Sequence, residues 1–289
     1  MTMPGFLQAL VDDAAMFPPG NAPLDRAVAE HYQHRRATYA ELVGGFVASD
    51  RVLPELLALL STEPDEPASR IDLKLVVTGG AGAIEPAVGW ATRSERIRLT
   101  GLEIALRDEE DLAHNARRMI AAVDALEADL ADVPVYVEPP RNQGSPTHGW
   151  LAALDELAAR ELRLKFRTGG VTADAFPGVE ELAGWIDAAL DRETAFKCTA
   201  GLHHAITCPD PQTGATQHGF LNVLLATRAS LDGENPASVL ADTDLRERLR
   251  AADLDALAGA RRWFVSFGSC SIVVPRDELA ELDLVGAAS

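Results

Sequence analysis

Apolar and polar positions along this chain follow two periods that take turns: short apolar runs closed by Gly, Pro or acidic residues, and longer stretches with apolar residues three and four apart. The first run, Leu7 to Met16, predicts a strand that Phe-Pro-Pro-Gly-Asn stops. Pro23 to Val43 predicts a helix, with Gly44-Gly45 as its C-terminal glycine signal. A short strand over Gly45 to Ala48 and a helix over Val52 to Leu60 follow. The unit then repeats: strand Ile71 to Val77 with helix Ile84 to Thr92, and strand Leu99 to Leu106 with helix Glu109 to Leu130. Strand Val133 to Val137 pairs with helix Trp150 to Ala159, and strand Leu162 to Phe166 with helix Val179 to Leu190. Past strand Thr194 to Cys198 the spacing breaks. A Pro- and Gly-containing loop leads to helix Phe220 to Ala229, a polar stretch and helix Leu245 to Ala258, before the last strand, Arg262 to Phe267.

Eight strand-helix units predict an α/β protein built as a (β/α)8 TIM barrel, with an enlarged connection between strands seven and eight. The whole chain, 1–289, reads as one barrel domain in which 202–261 is insertion-like. An open doubly wound sheet is the alternative; the absence of a Gly-rich dinucleotide fingerprint favours the barrel.

Composition narrows the partners. A net charge of −18 repels nucleic acid and anionic membrane, so neither is expected as a partner, and an anionic small-molecule substrate needs a local basic pocket. No apolar stretch is long enough to span a bilayer, and the N-terminus lacks a signal-peptide pattern. Three cysteines, Cys198, Cys208 and Cys270, have neither disulfide nor metal spacing and read as reduced cytosolic thiols, so a cytoplasmic protein is expected. Assembly into a homo-oligomer is allowed, and no cofactor is called for.

Charge usage then singles out the chemistry. Among 26 basic residues the only lysines are Lys74, Lys165 and Lys197, each in a strand-like segment; every other cation is arginine. An amine, unlike a guanidinium, loses its proton when desolvated or set near another cation. Barrel active sites form at the C-terminal strand ends, where the chain places Asp12 and Asp13, Lys74, Glu103, Glu138, Lys165 and Arg167, Lys197, and Ser266, Ser269 and Ser271. Strand period two turns Lys165 and Lys197 inward, with Leu164, Phe166, Phe196 and Cys198 outward. Two inward lysines on adjacent strands make one of them a candidate nucleophile towards a carbonyl. The alternative is that both only pair with Glu103 and Glu138 or hold an anion.

Lys165-Phe166-Arg167-Thr168-Gly169, Phe196-Lys197-Cys198-Thr199-Ala200-Gly201 and Phe267-Gly268-Ser269-Cys270-Ser271 resemble, in order and spacing, motifs of the class I deoxyribose-phosphate aldolases and their lyase relatives. The resemblance covers roughly a fifth of the chain. It implies a lyase in which Lys165 forms the Schiff base, Lys197 lowers its pKa, and Glu103 relays protons where the family has Asp. Substrate contacts are expected from Lys74, Glu138 and Asp12 at the strand ends, and from Arg167, Gly169, Gly170, Gly201, Gly268 and Ser269 in and beside the three motifs. The chain departs from the pattern at Gly201-Leu202-His203-His204 and in its longer final connection.

That connection adds His203, His204 and His218, expected near substrate or in structural hydrogen bonds. His31, His34, His114 and His148 read as surface residues, and Cys270 as a packing residue without an adjacent base. Three function classes follow. The first is a class I aldolase-type carbon–carbon lyase acting on a small carbonyl compound, a sugar phosphate or keto acid among the candidates. The second is a metal-dependent hydrolase or lyase using His203, His204 and His218. The third is a barrel that binds a small molecule without turnover.

Overall fold

The computed structural model describes residues 3–62, 70–107, 109–211 and 213–286. Eight parallel strands close into a barrel: β1 (Val11–Asp13), β2 (Val43–Ser49), β3 (Ile71–Val77), β4 (Ile97–Ala105), β5 (Val135–Glu138), β6 (Arg163–Arg167), β7 (Phe196–Thr199) and, after a separate two-residue ladder of β8 (Cys208–Pro209) with β9 (Thr216–Gln217), β10 (Phe264–Ser269). Each barrel strand pairs with its sequence neighbours, and β10 closes the ring on β1 through Val11 opposite Phe267 and Asp13 opposite Ser269. Helices α1 (Leu24–Arg36), α2 (Leu53–Thr62), α3 (Ile84–Thr92), α4 (Leu112–Asp124), α5 (His148–Ala159) and α6 (Val179–Leu190) each follow one strand. The protein is an α/β (β/α)8 barrel. Among the described residues no helix is long and apolar enough to cross a membrane.

The enlarged connection between β7 and β10 is real and carries four helices: α7 (Phe220–Leu231), α8 (Pro236–Leu240), α9 (Arg246–Ala251) and α10 (Leu254–Ala260); α11 (Val273–Glu281) follows β10. Helix α7 is buried nearly all round. Its Phe220 ring stacks on Phe267 at 4.8 Å between centroids. Asn222 locks the segment: its Oδ1 accepts from Thr207 N at 2.8 Å, and its Nδ2 donates to Val239 O and Asp242 O, each at 2.7 Å. A fully buried amide with three partners carries no unpaired-group penalty.

Two sequence expectations are corrected here. Strand one spans only Val11–Asp13, because Gly5–Leu7 forms a 3-10 turn and Ala9 takes a positive φ of 48°. Phe6, Leu7 and Leu10 are buried, so the apolar pattern marked core rather than ladder. Gly44-Gly45 does not end a helix: α1 stops at Arg36, with His34, Arg35 and Arg36 in the last turn where cations complement the helix dipole. Both glycines lie inside β2. A Cβ on Gly44 would sit 2.3 Å from Asp12 Oδ1, and one on Gly45 would sit 2.8 Å from Lys74 Cγ. They are glycines because the barrel interior is crowded there.

The outer faces of β6, β7 and β10 decide which way the lysines point. Phe166 and Phe196 lie 5.3 Å apart, Phe196 and Phe264 5.5 Å, and Phe166 and Trp185 of α6 5.6 Å between centroids. Each buried ring contributes about 1.5–3 kcal/mol. With this belt fixed outward, strand alternation leaves Lys165 and Lys197 no direction but inward.

Candidate active site

Lys165 and Lys197 stand opposite each other in the β6–β7 ladder, and Glu103 of β4 reaches across the barrel to both. The contacts form one continuous file. Ser266 Oγ donates to Asp12 Oδ2 at 2.8 Å, and Lys197 Nζ donates to the same oxygen at 2.7 Å. Lys197 Nζ also donates to Glu103 Oε1 at 2.5 Å, while the other oxygen of Glu103 lies 2.9 Å from Lys165 Nζ. Lys165 Nζ is 3.0 Å from Glu138 Oε2, and Arg167 Nε donates to Glu138 Oε1 at 2.7 Å. Side-chain exposure climbs along the file, from 1% at Asp12 and Lys197 through 2% at Glu103, 6% at Lys165 and 13% at Glu138 to 51% at Arg167. Three carboxylates alternate with three cations from a sealed interior to the open end of the barrel.

Those neighbours set the protonation states. Burial alone drives the Lys165 ammonium towards neutrality, and the Lys197 charge adds to that push. Glu103 and Glu138 outweigh both, so the net direction is up. Lys197 moves the same way under Asp12 and Glu103. Burial pushes the Glu103 carboxyl up, yet the two ammoniums hold it well below the usual carboxylate range, and Glu138 is likewise held down by Lys165 and Arg167. The expectation that Lys197 leaves Lys165 with a lowered pKa therefore does not hold in the unliganded barrel. The second cation does push the Lys165 pKa down, but the carboxylates on either side dominate it.

The rim around this file is built from close loop packing. Thr168 Oγ1 donates to Ala200 O at 2.5 Å, and a Cβ on Gly169 would lie 2.7 Å from Gly201 Cα. Ala200 and Gly201 both take positive φ, 58° and 72°. Gly169 and Gly201 thus join the β6 and β7 loops to each other, and Gly170 packs on Ala175, where an added Cβ would lie 2.7 Å from the alanine Cβ. Gly268 has room, with Ala14 Cβ at 3.7 Å and Thr199 Oγ1 at 3.8 Å from a built Cβ. His203 Nδ1 sits 3.4 Å from Ser269 Oγ and 3.6 Å from Cys270 Sγ. Cys270 therefore does have an adjacent base. Burial raises the Cys270 thiol and lowers the His203 imidazole, so the pair rests as thiol and neutral ring. A cavity of about 250 Å³ adjoins Glu138 and Arg167, walled by Trp150, Phe166, Trp185 and Pro140.

Other sequence candidates lie elsewhere. Lys74 does not join the rim: it stands at the middle of β3 rather than at its C-terminal end, and its Nζ donates to Thr100 O at 2.8 Å, in a space opening at the N-terminal ends of the strands. The three connection histidines do not converge. His204 Nδ1 pairs with Glu278 at 2.6 Å, and fully buried His218 bonds Pro177 O through Nε2 at 2.9 Å. Closeness in sequence did not bring them together, since loop and helix start send each ring to a different partner. Among the described residues no group of three His, Cys, Asp or Glu is arranged to hold a metal ion. Asp13 faces outward and bonds His31 Nδ1 at 2.9 Å, so His31, only 2% exposed, is a core residue rather than a surface one. Tyr136 escaped the sequence reading: its ring centroid lies 5.5 Å from Lys197 Nζ and 5.8 Å from Lys74 Nζ. Its signal was present, since period two from Glu138 in β5 puts Tyr136 on the same inward face.

The closed parallel barrel is an architecture that many enzymes share, with their chemistry at the same end as Arg167 and Glu138. No protein-family model matches the chain, and no curated protein is detectably similar to it in sequence.

Proposed function

We propose that the protein is a class I aldolase-type lyase that acts on a small carbonyl compound through a Schiff base on Lys165, as the motif resemblance implies. One observation carries this reading: the alternating file of charges places Lys165 between two carboxylates, one buried and one at the rim, with a second lysine held charged behind it. Lys165 is the more exposed of the two amines and the one an incoming carbonyl meets first. It must shed a proton to attack, and Glu138, at 3.0 Å and nearest solvent, takes it as the carbonyl enters. The amine nitrogen bonds the carbonyl carbon, and the oxygen, protonated through the carboxylates, leaves as water to give the iminium. A carboxylate then takes the proton of the substrate's β-hydroxyl, the Cα–Cβ bond breaks with its electron pair moving into the iminium, and the β-carbon fragment leaves as an aldehyde. Protonation of the resulting enamine and hydrolysis then restore the amine. Lys197, fixed by Asp12 and Glu103, keeps Glu103 ionised as a negative charge beside the forming iminium. Arg167 holds Glu138 in place and, half exposed, offers a cation for an anionic substrate group.

A barrel that binds a carbonyl compound or anion without turnover is the second reading, favoured by the raised Lys165 pKa. Screening short aldehydes, keto acids and sugar phosphates for borohydride-dependent mass gain separates the two. The lyase reading expects gain in the wild type and none in Lys165→Arg. Tight binding of a carbonyl compound with no mass gain supports the second.

A further inference from the structure

The mechanism uses two of the three lysines and leaves Lys74 unexplained. Its side chain is threaded through a slot made for it. A Cβ on Gly45 of β2 would lie 2.8 Å from Lys74 Cγ, and one on Gly101 of β4 would lie 2.7 Å from Lys74 Cδ. Any side chain on either flanking strand would close the path. Among the described residues no carboxylate touches the amine it delivers: it donates to Thr100 O at 2.8 Å and lies 5.8 Å from the Tyr136 ring centroid.

This amine enters a cavity of about 290 Å³ that opens at the N-terminal ends of the strands, opposite the rim. Arg35 and Arg261 line it as well. Arg261 gives Nη2 to Gln8 O at 2.9 Å and Nη1 to Phe264 O at 2.6 Å, while its buried Nε has no partner among the described residues. Arg35 donates to Val43 O at 3.0 Å. The two lining carboxylates already have cation partners outside the cavity: Asp12 has Lys197 at 2.7 Å, and Asp72 has both nitrogens of the Arg98 fork at 2.6 and 2.5 Å, with Arg35 at the longer distance of 4.0 Å. The cavity is thus a cationic space in a chain of net charge −18.

We propose that this N-terminal cavity is a second binding site, for a compact anion with a phosphate or carboxylate head, held by Lys74, Arg35 and Arg261. Its volume sits just below the range of small-molecule pockets, which begins near 300 Å³, and suits an anion of few carbon atoms. The Tyr136 ring, within 6 Å of both Lys74 and Lys197, sets this site against the floor of the charged file. The site does not depend on the Schiff-base reading.

Calorimetric titration of the full chain with inorganic phosphate and, separately, malonate, at constant ionic strength in chloride, tests it. The expected result is saturable one-to-one binding of at least one probe, with the tighter probe identifying the head group. Lys74→Gln should weaken that binding at least tenfold. Arg167→Gln, which removes the rim cation, should change it less than twofold. If Lys74→Gln does not fold, Arg35→Gln carries the same test with a loss of about fivefold, because its side chain is 43% exposed and tolerant of change. No saturation by either probe overturns the proposal. So does binding unaffected by the cavity variants, or lost on Arg167→Gln.

Discussion

Replacing Glu103 with Gln tests the charged file most severely. The carboxylate is 2% exposed and touches both ammoniums, at 2.9 Å from Lys165 and 2.5 Å from Lys197. At an effective dielectric of about 20 each contact is worth about 6 kcal/mol before desolvation is charged against it. Removing one partner of such a buried set costs about 3–5 kcal/mol, because Asp12 and Glu138 remain but the set is left with one positive charge in excess. The lysine can escape by losing its proton. From an unfolded pKa near 10.4, neutrality at pH 7 costs about 5 kcal/mol, so both routes give a similar figure. The pH dependence has a definite sign. In the wild type both ammoniums have raised pKa values, so their contribution is complete below the unfolded value of about 10.4 and is lost as the pH rises from there through the raised folded values. In Glu103→Gln an under-partnered ammonium has a lowered pKa, and its penalty is largest at neutral pH and closes as the pH nears 10.4. Urea unfolding at pH 7.0 and 9.5 measures both. With a slope of about 3 kcal/mol/M the midpoint should fall by about 1 M or more at pH 7. The deficit should narrow at pH 9.5. A loss below about 1 kcal/mol, or a deficit that widens with pH, refutes the reasoning.

Three further outcomes follow from the same contacts. Lys197→Met removes a charge that pushes the Lys165 pKa down, so the pH profile of imine trapping should move to higher pH, with a rate at pH 7 reduced about tenfold; an unchanged profile in folded protein contradicts this. Gly44→Ala drives a Cβ to within 2.3 Å of Asp12 Oδ1 and should cost about 1–3 kcal/mol in thermal unfolding, since a strand glycine facing a fixed carboxylate has nowhere to expand. The hydrogen bond from His204 to Glu278 raises the His204 pKa, so its stabilising effect is complete below about pH 6.5 and is lost as pH rises through the raised value. Melting curves of Glu278→Gln should therefore lie below the wild type at pH 6 and approach it by pH 8.5.

Much of this architecture is legible in the sequence because barrel strands and helices have different periods and their alternation forces a parallel sheet. The span of α6, Val179–Leu190, is read without error, since Gly178 precedes its apolar pattern and polar residues follow it. Lys165 and Lys197 are legible as inward for the same reason, period two anchored by outward Phe166 and Phe196, whereas Asp12, Glu103 and Glu138 are legible only as polar residues at strand ends. What escaped is fixed only in three dimensions. Gly44-Gly45 has the local form of a helix stop, and only the approach of Asp12 and Lys74 reveals why glycine is required. His31 lies on a helix whose pattern is polar, and Asp13, eighteen residues away, makes it a core residue. The connection histidines lie within sixteen positions of one another, but a loop before α7 points them apart. The direction of the Lys165 shift is not legible in the sequence, because the second lysine and the pairing with Glu103 and Glu138 push it opposite ways and only the distances decide between them.

Peptide mapping after borohydride reduction, with the carbonyl compound that the screen identifies, tests the central claim most directly. The account predicts a single added mass on the peptide bearing Lys165, with Lys197 and Lys74 unmodified, because one is sealed at 1% exposure and the other opens at the opposite end of the barrel. Turnover of that compound with Lys165 unmodified, or an adduct on Lys197 in its place, would contradict it.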